Sequence, residues 1–164
     1  MPEAMEQARV DRARAELEQA ALRLLAIREH SRVELRRKLQ SRCETSALLE
    51  RVLDGLELQG YLSDARFVEQ YVSSRKQKGF GPVRIRQELQ ERGVASTLID
   101  PQTDPRDGEW RDQIRACCRR KFGDSPPADF KEQARRARFL EYRGFPSELI
   151  RDFLWHDPGD GFGS

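Results

Sequence analysis

The stretch RKQKGFGPVRIRQEL, residues 75–89, sets two glycines beside a run of cations. Glycine-rich turns next to lysine are how backbone amides cradle phosphate in nucleotide-binding loops, but such loops need a preceding strand and a Lys-Ser/Thr after the glycines. Here Pro82 and Val83 follow Gly81. Gly81-Pro82 reads instead as a helix entry, because proline at the first helical position gives up no hydrogen bond. Cys43, Cys117 and Cys118, with His30 and His156, are the metal-ligating types present. They form no CxxC pair and the histidines are remote, so no metal-ligand spacing appears. Reduced, buried or half-buried thiols are expected. Most acids lie three or four residues from Arg or Lys, as Glu88 does from Arg92. That is the spacing of helix-surface ion pairs rather than of an acid–base dyad. Neither catalysis nor a cofactor is expected.

What remains is electrostatic recognition. The chain carries 30 basic and 28 acidic side chains, a formal net charge of +2, so bulk charge gives no pull toward nucleic acid or membrane. The charge is segregated locally, however. Between Gln70 and Gln87 stand five Lys or Arg and no Asp or Glu. Basic clusters recur at 32–42, 115–121 and 131–143. A cationic face that returns at related places is a candidate surface for phosphates or for an acidic protein groove. Its candidate residues are Arg32, Arg36, Arg37 and Lys38; Arg75, Lys76, Lys78, Arg84 and Arg86; Arg115, Arg119, Arg120 and Lys121; and Arg135, Arg136 and Arg138. Of the basic residues at 75–89, Arg75, Lys76, Lys78, Arg84 and Arg86 are expected to reach into solvent or a partner, with Val83, Ile85 and Leu89 on the packed side. Tyr142, close to Arg138 and Arg143, is a candidate for base stacking. Core packing is expected for most of Tyr61, Phe67, Tyr71, Trp110 and Trp155.

The elements that must position these residues follow from an internal repeat. LRRKLQSRCETSALL (35–49), IRQELQERGVASTLI (85–99) and RARFLEYRGFPSELI (136–150) align without gaps. Leu39, Leu89 and Leu140 correspond, as do Arg42, Arg92 and Arg143, then Cys43, Gly93 and Gly144. Each copy reads as a helix closed by Arg, a glycine in the left-handed region, and a second helix that turns a Leu-Leu or Leu-Ile pair inward. Positive φ is therefore expected at Gly93 and Gly144, and Thr45, Ser96 and Ser147 are expected N-caps. Cys43 breaks the glycine rule. A further helix precedes each pair, at about 8–28 (with Val10, Ala13, Leu17, Ala20, Leu24 and Leu25 on one face), 64–77 and about 107–122. The fold expected is all-α, an elongated tandem array of three three-helix repeats at 1–62, 63–104 and 105–156, with a loose tail at 157–164. The N-terminus is charged throughout and no apolar run reaches the ~20 residues of a membrane span, so a soluble, cytoplasmic protein is expected.

GYLSDARFVEQYVSSRKQKGFGPVRIRQELQERGV (60–94) resembles the signature region of the RecX family, bacterial regulators of the RecA recombinase. The resemblance rests on Gly60-Tyr61-Leu62, Asp64 with Phe67, Arg75 followed by Gly79, Ile85 with Glu88-Leu89, and Gly93. The flanks 21–39 and 135–150 are similar to the family's outer units, so the likeness runs over about residues 15–155. It implies an all-helical regulator without catalytic residues, which binds in the groove of the RecA–single-stranded DNA filament. Inhibition of strand exchange, ATP hydrolysis and co-protease function would follow, modulating recombination and DNA repair. The implied partners are the RecA nucleoprotein filament and single-stranded DNA, with weak binding to double-stranded DNA; a monomer is expected. The alternative is a stand-alone helical DNA-binding regulator that does not act through RecA. Two departures from the pattern fall in the outer units: Cys43 for Gly, and Arg136 where the other copies have Leu35 and Ile85.

Overall fold

A computed structural model describes residues 1–155. The expected tail at 157–164, and His156, lie outside the described residues. Among the latter are nine α-helices and no strand: α1 (Pro2–Ile27), α2 (Arg32–Leu39), α3 (Ser46–Leu58), α4 (Asp64–Gln77), α5 (Pro82–Glu91), α6 (Ser96–Ile99), α7 (Glu109–Phe122), α8 (Phe130–Tyr142) and α9 (Ser147–Trp155). They fall in three successive groups of three, as the repeat requires.

Local chemistry sets most of the boundaries. Ser31 accepts a hydrogen bond from the Glu34 amide (3.1 Å), Thr45 from that of Leu48 (3.3 Å) and Asp129 from that of Glu132 (2.8 Å), which caps α2, α3 and α8. Pro82 opens α5 as expected. Ser96 and Ser147 are not caps: they are the first residues inside α6 and α9, and the Pro146 carbonyl opens the α9 ladder by accepting from Ile150. The first helix begins at Pro2, earlier than its apolar pattern suggests. Charged residues with good helix propensity sustain it before it meets any core. Ala13, expected on the packed face, is exposed, and burial starts at Leu17.

The chain divides into two compact units, Met1–Gln70 with Glu91–Leu98, and Tyr71–Gln90 with the chain from Ile99 on. In the first, Leu17, Ala20 and Ala21 of α1 pack with Leu35 and Leu39 of α2 and with Leu49, Val52, Leu53 and Leu56 of α3. The Gly60-Tyr61-Leu62 signature closes this core. Tyr61 and Leu62 amides both donate to the Leu56 carbonyl (2.9 and 3.2 Å), which turns Leu62 inward and leaves Tyr61 out, 53% exposed rather than packed. Asp64 of the same signature accepts from the Arg32 amide (2.8 Å), placing a carboxylate at the positive end of α2. In the second unit, Ile85 and Leu89 of α5, Trp110, Ile114, Cys117 and Cys118 of α7, Leu140 of α8 and Ile150 of α9 are buried. Val83 is 52% exposed, against expectation, because the inward face of α5 runs through Pro82, Ile85 and Leu89 and residue 83 lies about 100° round from it. Trp155 ends α9 and is half-exposed.

The same junction is built once in each unit. In the first, the Ser31 hydroxyl donates to the Arg92 carbonyl (2.8 Å) and an Arg37 guanidinium N–H reaches that of Glu91 (3.3 Å). In the second, Gly81 and Val83 amides donate to the Arg143 and Gly144 carbonyls (2.8 and 2.9 Å). In each case the start of a repeat's second helix seats on the glycine turn of the following repeat. Gly93 and Gly144 have φ of +74° and +95°, as the repeat predicts. A Cβ on Gly93 would stand 2.6 Å from Val33, and one on Gly144 would collide with Arg84. Cys43 needs neither property. It follows a 3-10 turn with extended backbone, φ −123°, and the two helix starts described above seat on the Arg92 and Arg143 turns instead. Gly93→Val, which combines a left-handed φ with a collision, is expected to lower the unfolding free energy by more than ~1 kcal/mol, read as a shift of the denaturant midpoint.

Candidate nucleic-acid interface

Charge divides unevenly between the units. Residues 1–70 and 91–98 hold 13 Lys and Arg against 14 Asp and Glu, whereas 71–90 and 99–164 hold 17 against 14. Two of the first unit's candidate cations are heavily engaged. Arg32 meets Glu50 and Asp54 at 2.7 Å each and Glu57 at 3.0 Å. Burial opposes its charge, but the three carboxylates outweigh that and raise its pKa. Arg36 pairs with Glu50, and these two hydrogen-bonded guanidiniums, Arg36 first, hold the Glu50 carboxyl down at about 2. Arg37 is exposed and donates to a backbone carbonyl. Lys38 donates to Nε2 of the buried His30 (3.1 Å), whose Nδ1–H donates to the Arg28 carbonyl (3.0 Å). That pattern requires a neutral ring, and burial pushes the His30 pKa below its ordinary 6.5.

In the second unit the structure sorts the candidates into two sets. Arg75 and Lys76, expected to reach outward, are folding residues. Arg75 meets Glu88 at 2.6 Å and lies 3.8 Å over the Phe80 ring. Lys76 meets Glu109 at 2.9 Å and lies 4.5 Å over Trp110. Tyr71 also donates to Glu88, and Arg84 approaches it at 3.2 Å. Burial works against the Glu88 charge, but these three donors prevail and its pKa falls. Arg86 pairs with Asp100 (3.1 Å), Arg115 with Asp112 (3.7 Å), Arg119 with Asp124 (2.7 Å) and Arg135 with Glu132 (3.2 Å). Arg136 is buried at 7% exposure and cannot serve a surface. It occupies the core position of Leu35 and Ile85, donates to the Ser125 carbonyl (3.0 Å) and to Glu132 (3.3 Å), and stacks on Phe122 at 5.0 Å. The charge there is compensated by Glu132, one turn earlier on α8, while the Ser125 carbonyl of the loop between α7 and α8 accepts a second hydrogen bond.

Lys78, Arg120, Lys121 and Arg138 form the other set: all are exposed, and none pairs with a carboxylate among the described residues. Arg143, which the sequence suggested only as a helix-end cation, joins them. Its guanidinium donates to the Lys78 carbonyl (3.1 Å), while Arg120 donates to that of Gln77 (3.0 Å). Two cations thus meet the negative end of α4, where the last carbonyls lack helical donors. Phe80 and Phe139 hold two members of the set, Arg143 and Lys121, together with Arg84. Arg84 and Arg143 lie 4.4 and 4.8 Å from the Phe80 centroid, and Arg143 and Lys121 lie 5.2 and 5.7 Å from that of Phe139. Arg84 reaches on to Tyr142, 5.3 Å from its ring. Each such contact contributes roughly 0.5–1 kcal/mol at exposed sites. The rings fix the guanidiniums in place without neutralising them. Phe80 was legible as half of a Gly-Phe-Gly turn but not as an anchor for arginines far along the chain. Cys117 donates to the Gly79 carbonyl (3.3 Å) beneath this surface, and burial pushes its thiol and that of Cys118 up. No group of His, Cys, Asp and Glu suited to a metal ion occurs among the described residues, and no described helix is long and apolar enough to cross a membrane.

Three sequence models of RecX domains match the chain: the first three-helix domain at 18–56, the second at 63–100 and the third at 108–154. The chain belongs to the RecX family. A regulatory protein RecX of Pseudomonas savastanoi pv. phaseolicola is 42% identical over 140 residues, covering 85% of this chain and 90% of that protein. One from Halorhodospira halophila is 46% identical over 132 residues, 80% and 82% of the two chains. Among solved structures, RecX from Lactobacillus salivarius superposes with a TM-score of 0.75 at 18% identity, over 89% of this chain and 97% of that one. A second RecX crystal structure gives 0.73 at 18% identity, over 96% and 78%. These share the fold. In this RecX-family chain the signature residues turn out to be largely architectural: Gly60, Leu62 and Asp64 build the first unit, and Arg75 and Glu88 join α4 to α5.

Arg75→Ala is therefore expected to destabilise the protein by about 1–3 kcal/mol, since it strips Glu88 of a partly buried partner, whereas Lys78→Ala stays within about 0.5 kcal/mol in the same denaturation assay. His30 gives a pH signature. Its folded pKa lies below 6.5, so the unfolded chain binds more protons; the associated stability is complete above 6.5 and is lost as pH falls through the folded value. His30→Gln should flatten the decline in melting temperature across that window.

Proposed function

We propose that this chain binds the RecA–single-stranded DNA filament and inhibits RecA, modulating recombination and DNA repair from the cytoplasm. Membership of a family of regulatory proteins supports the reading, as does the likeness of residues 60–94 to the family signature. The observation that carries it is the set Lys78, Arg120, Lys121, Arg138 and Arg143, five cations without carboxylate partners among the described residues. Of these, Arg120, Lys121 and Arg143, held by helix-end carbonyls or aromatic rings, are pre-organised for phosphate, and the counterions a nucleic acid strand releases when its phosphates are neutralised drive binding. The three repeats, at 1–62, 63–104 and 105–156, are the units through which we read this surface as presented.

The test is RecA's single-strand-dependent ATP hydrolysis. The wild-type chain is expected to suppress it. Lys78→Glu combined with Arg138→Glu should keep the helical circular dichroism, weaken inhibition, and reduce the salt slope of single-strand binding by about 0.7 for each phosphate that is no longer neutralised. A chain that binds DNA yet leaves RecA turnover unchanged is a stand-alone DNA-binding regulator.

A further inference from the structure

We propose that Tyr142 is a base-stacking platform, and that it makes this cationic surface select single-stranded over double-stranded nucleic acid. The inference rests on the nucleic-acid reading of the surface and deepens it. Tyr142 is the last residue of α8 and is 72% exposed. An aromatic ring so open is usually free to turn, but this one is braced. The Arg84 guanidinium lies 5.3 Å from its centroid. Arg84 is itself held at three further points: Glu88 at 3.2 Å, the Phe80 ring at 4.4 Å, and the Tyr142 carbonyl at 3.3 Å. The cation covers part of the ring and fixes its plane, and the exposed remainder is left to a planar partner.

The surroundings say which planar partner. Arg138 stands four residues earlier on α8, which puts it on the same helix face about 6 Å along the axis. Arg143 follows Tyr142 directly. An aromatic platform flanked by guanidiniums without carboxylate partners among the described residues matches a strand whose bases are unstacked and whose phosphates repeat along the backbone. Duplex DNA could satisfy the cations, but its bases are stacked internally and offer no face to the ring. An acidic peptide could satisfy the cations too, yet would leave the ring without a stacking partner. The phosphate contacts supply affinity to any polyanion; Tyr142 supplies the preference for a single strand.

The full-length chain, without RecA, is titrated by fluorescence anisotropy against three labelled probes of one length: oligothymidylate, an abasic strand and a duplex. The abasic strand keeps the phosphates and removes the bases. Wild type should prefer oligothymidylate over the abasic strand by roughly tenfold or more. Tyr142→Ala should lose that margin while its affinity for the abasic strand and the duplex, and its salt slope, stay unchanged. Tyr142→Phe should keep the margin, which separates stacking from a hydroxyl contact and from any fault in folding. Equal wild-type affinity for oligothymidylate and the abasic strand overturns the proposal, as does an equal loss on all three probes in Tyr142→Ala. Loss of RecA inhibition by Tyr142→Ala with unchanged oligothymidylate binding would assign the ring to a protein contact and also overturn it. If the stacking results hold and wild type leaves RecA turnover untouched, only the RecA reading falls.

Discussion

Everything in this fold leans on a backbone approach too close for a side chain. At Gly93 a Cβ would meet Val33 at 2.6 Å, and at Gly81 it would meet the Gly144 carbonyl oxygen at 2.5 Å. That closeness lets backbone amides at Gly81 and Val83, or the hydroxyl of Ser31, satisfy carbonyls at a helix end that would otherwise lack donors. The turn glycines adopt positive φ for the same reason: the chain must reverse within one residue after each closing Arg. Register follows. Once Arg143 and Gly144 are fixed against the start of α5, Tyr142 is within reach of Arg84, and Phe139 of Arg143.

Charge is arranged on top of this geometry in two layers. Where a cation lies near the core it has an acid, as Arg75 has Glu88 and Arg32 has Glu50, Asp54 and Glu57. The partners are partly shielded from solvent, so each pair holds helices in place at the risk of a sizeable penalty if one member is removed. Further out, cations rest on aromatic faces and carbonyl oxygens, which orient them and leave their charge intact. A near-neutral chain can therefore present a locally cationic surface.

The repeat made the helices legible: identical spacing of Leu39, Leu89 and Leu140, and the Arg-Gly closures, gave element type, order and the two positive-φ glycines. Long-range pairing was hidden. Arg84 and Glu88 stand at ion-pair spacing, but nothing in the sequence shows that Glu88 would also draw in Tyr71 and Arg75, or that Glu109 would take Lys76. A window count of charge sees neighbours along the chain and misses acids brought in by folding, so it overstated the free charge at 75–86. Arg136 shows the opposite limit. It looked like one more basic residue in a cluster, although its alignment with Leu35 and Ile85 already pointed inward, and helix register was the better guide.

The Ser31–Arg92 and Gly81–Arg143 junctions also bear on how such a chain can change length. Repeat two alone supplies both halves of the joint, a glycine turn at Arg92-Gly93 and a small-residue helix start at Gly81. The first repeat has Cys43 where the turn half would require glycine, and the third carries a buried, loop-bonded arginine in its second helix. Gene duplication could splice in another middle segment and find both joints ready-made. Copying an outer repeat would instead bring Cys43 into the turn half of a joint, or a buried arginine into its helix half.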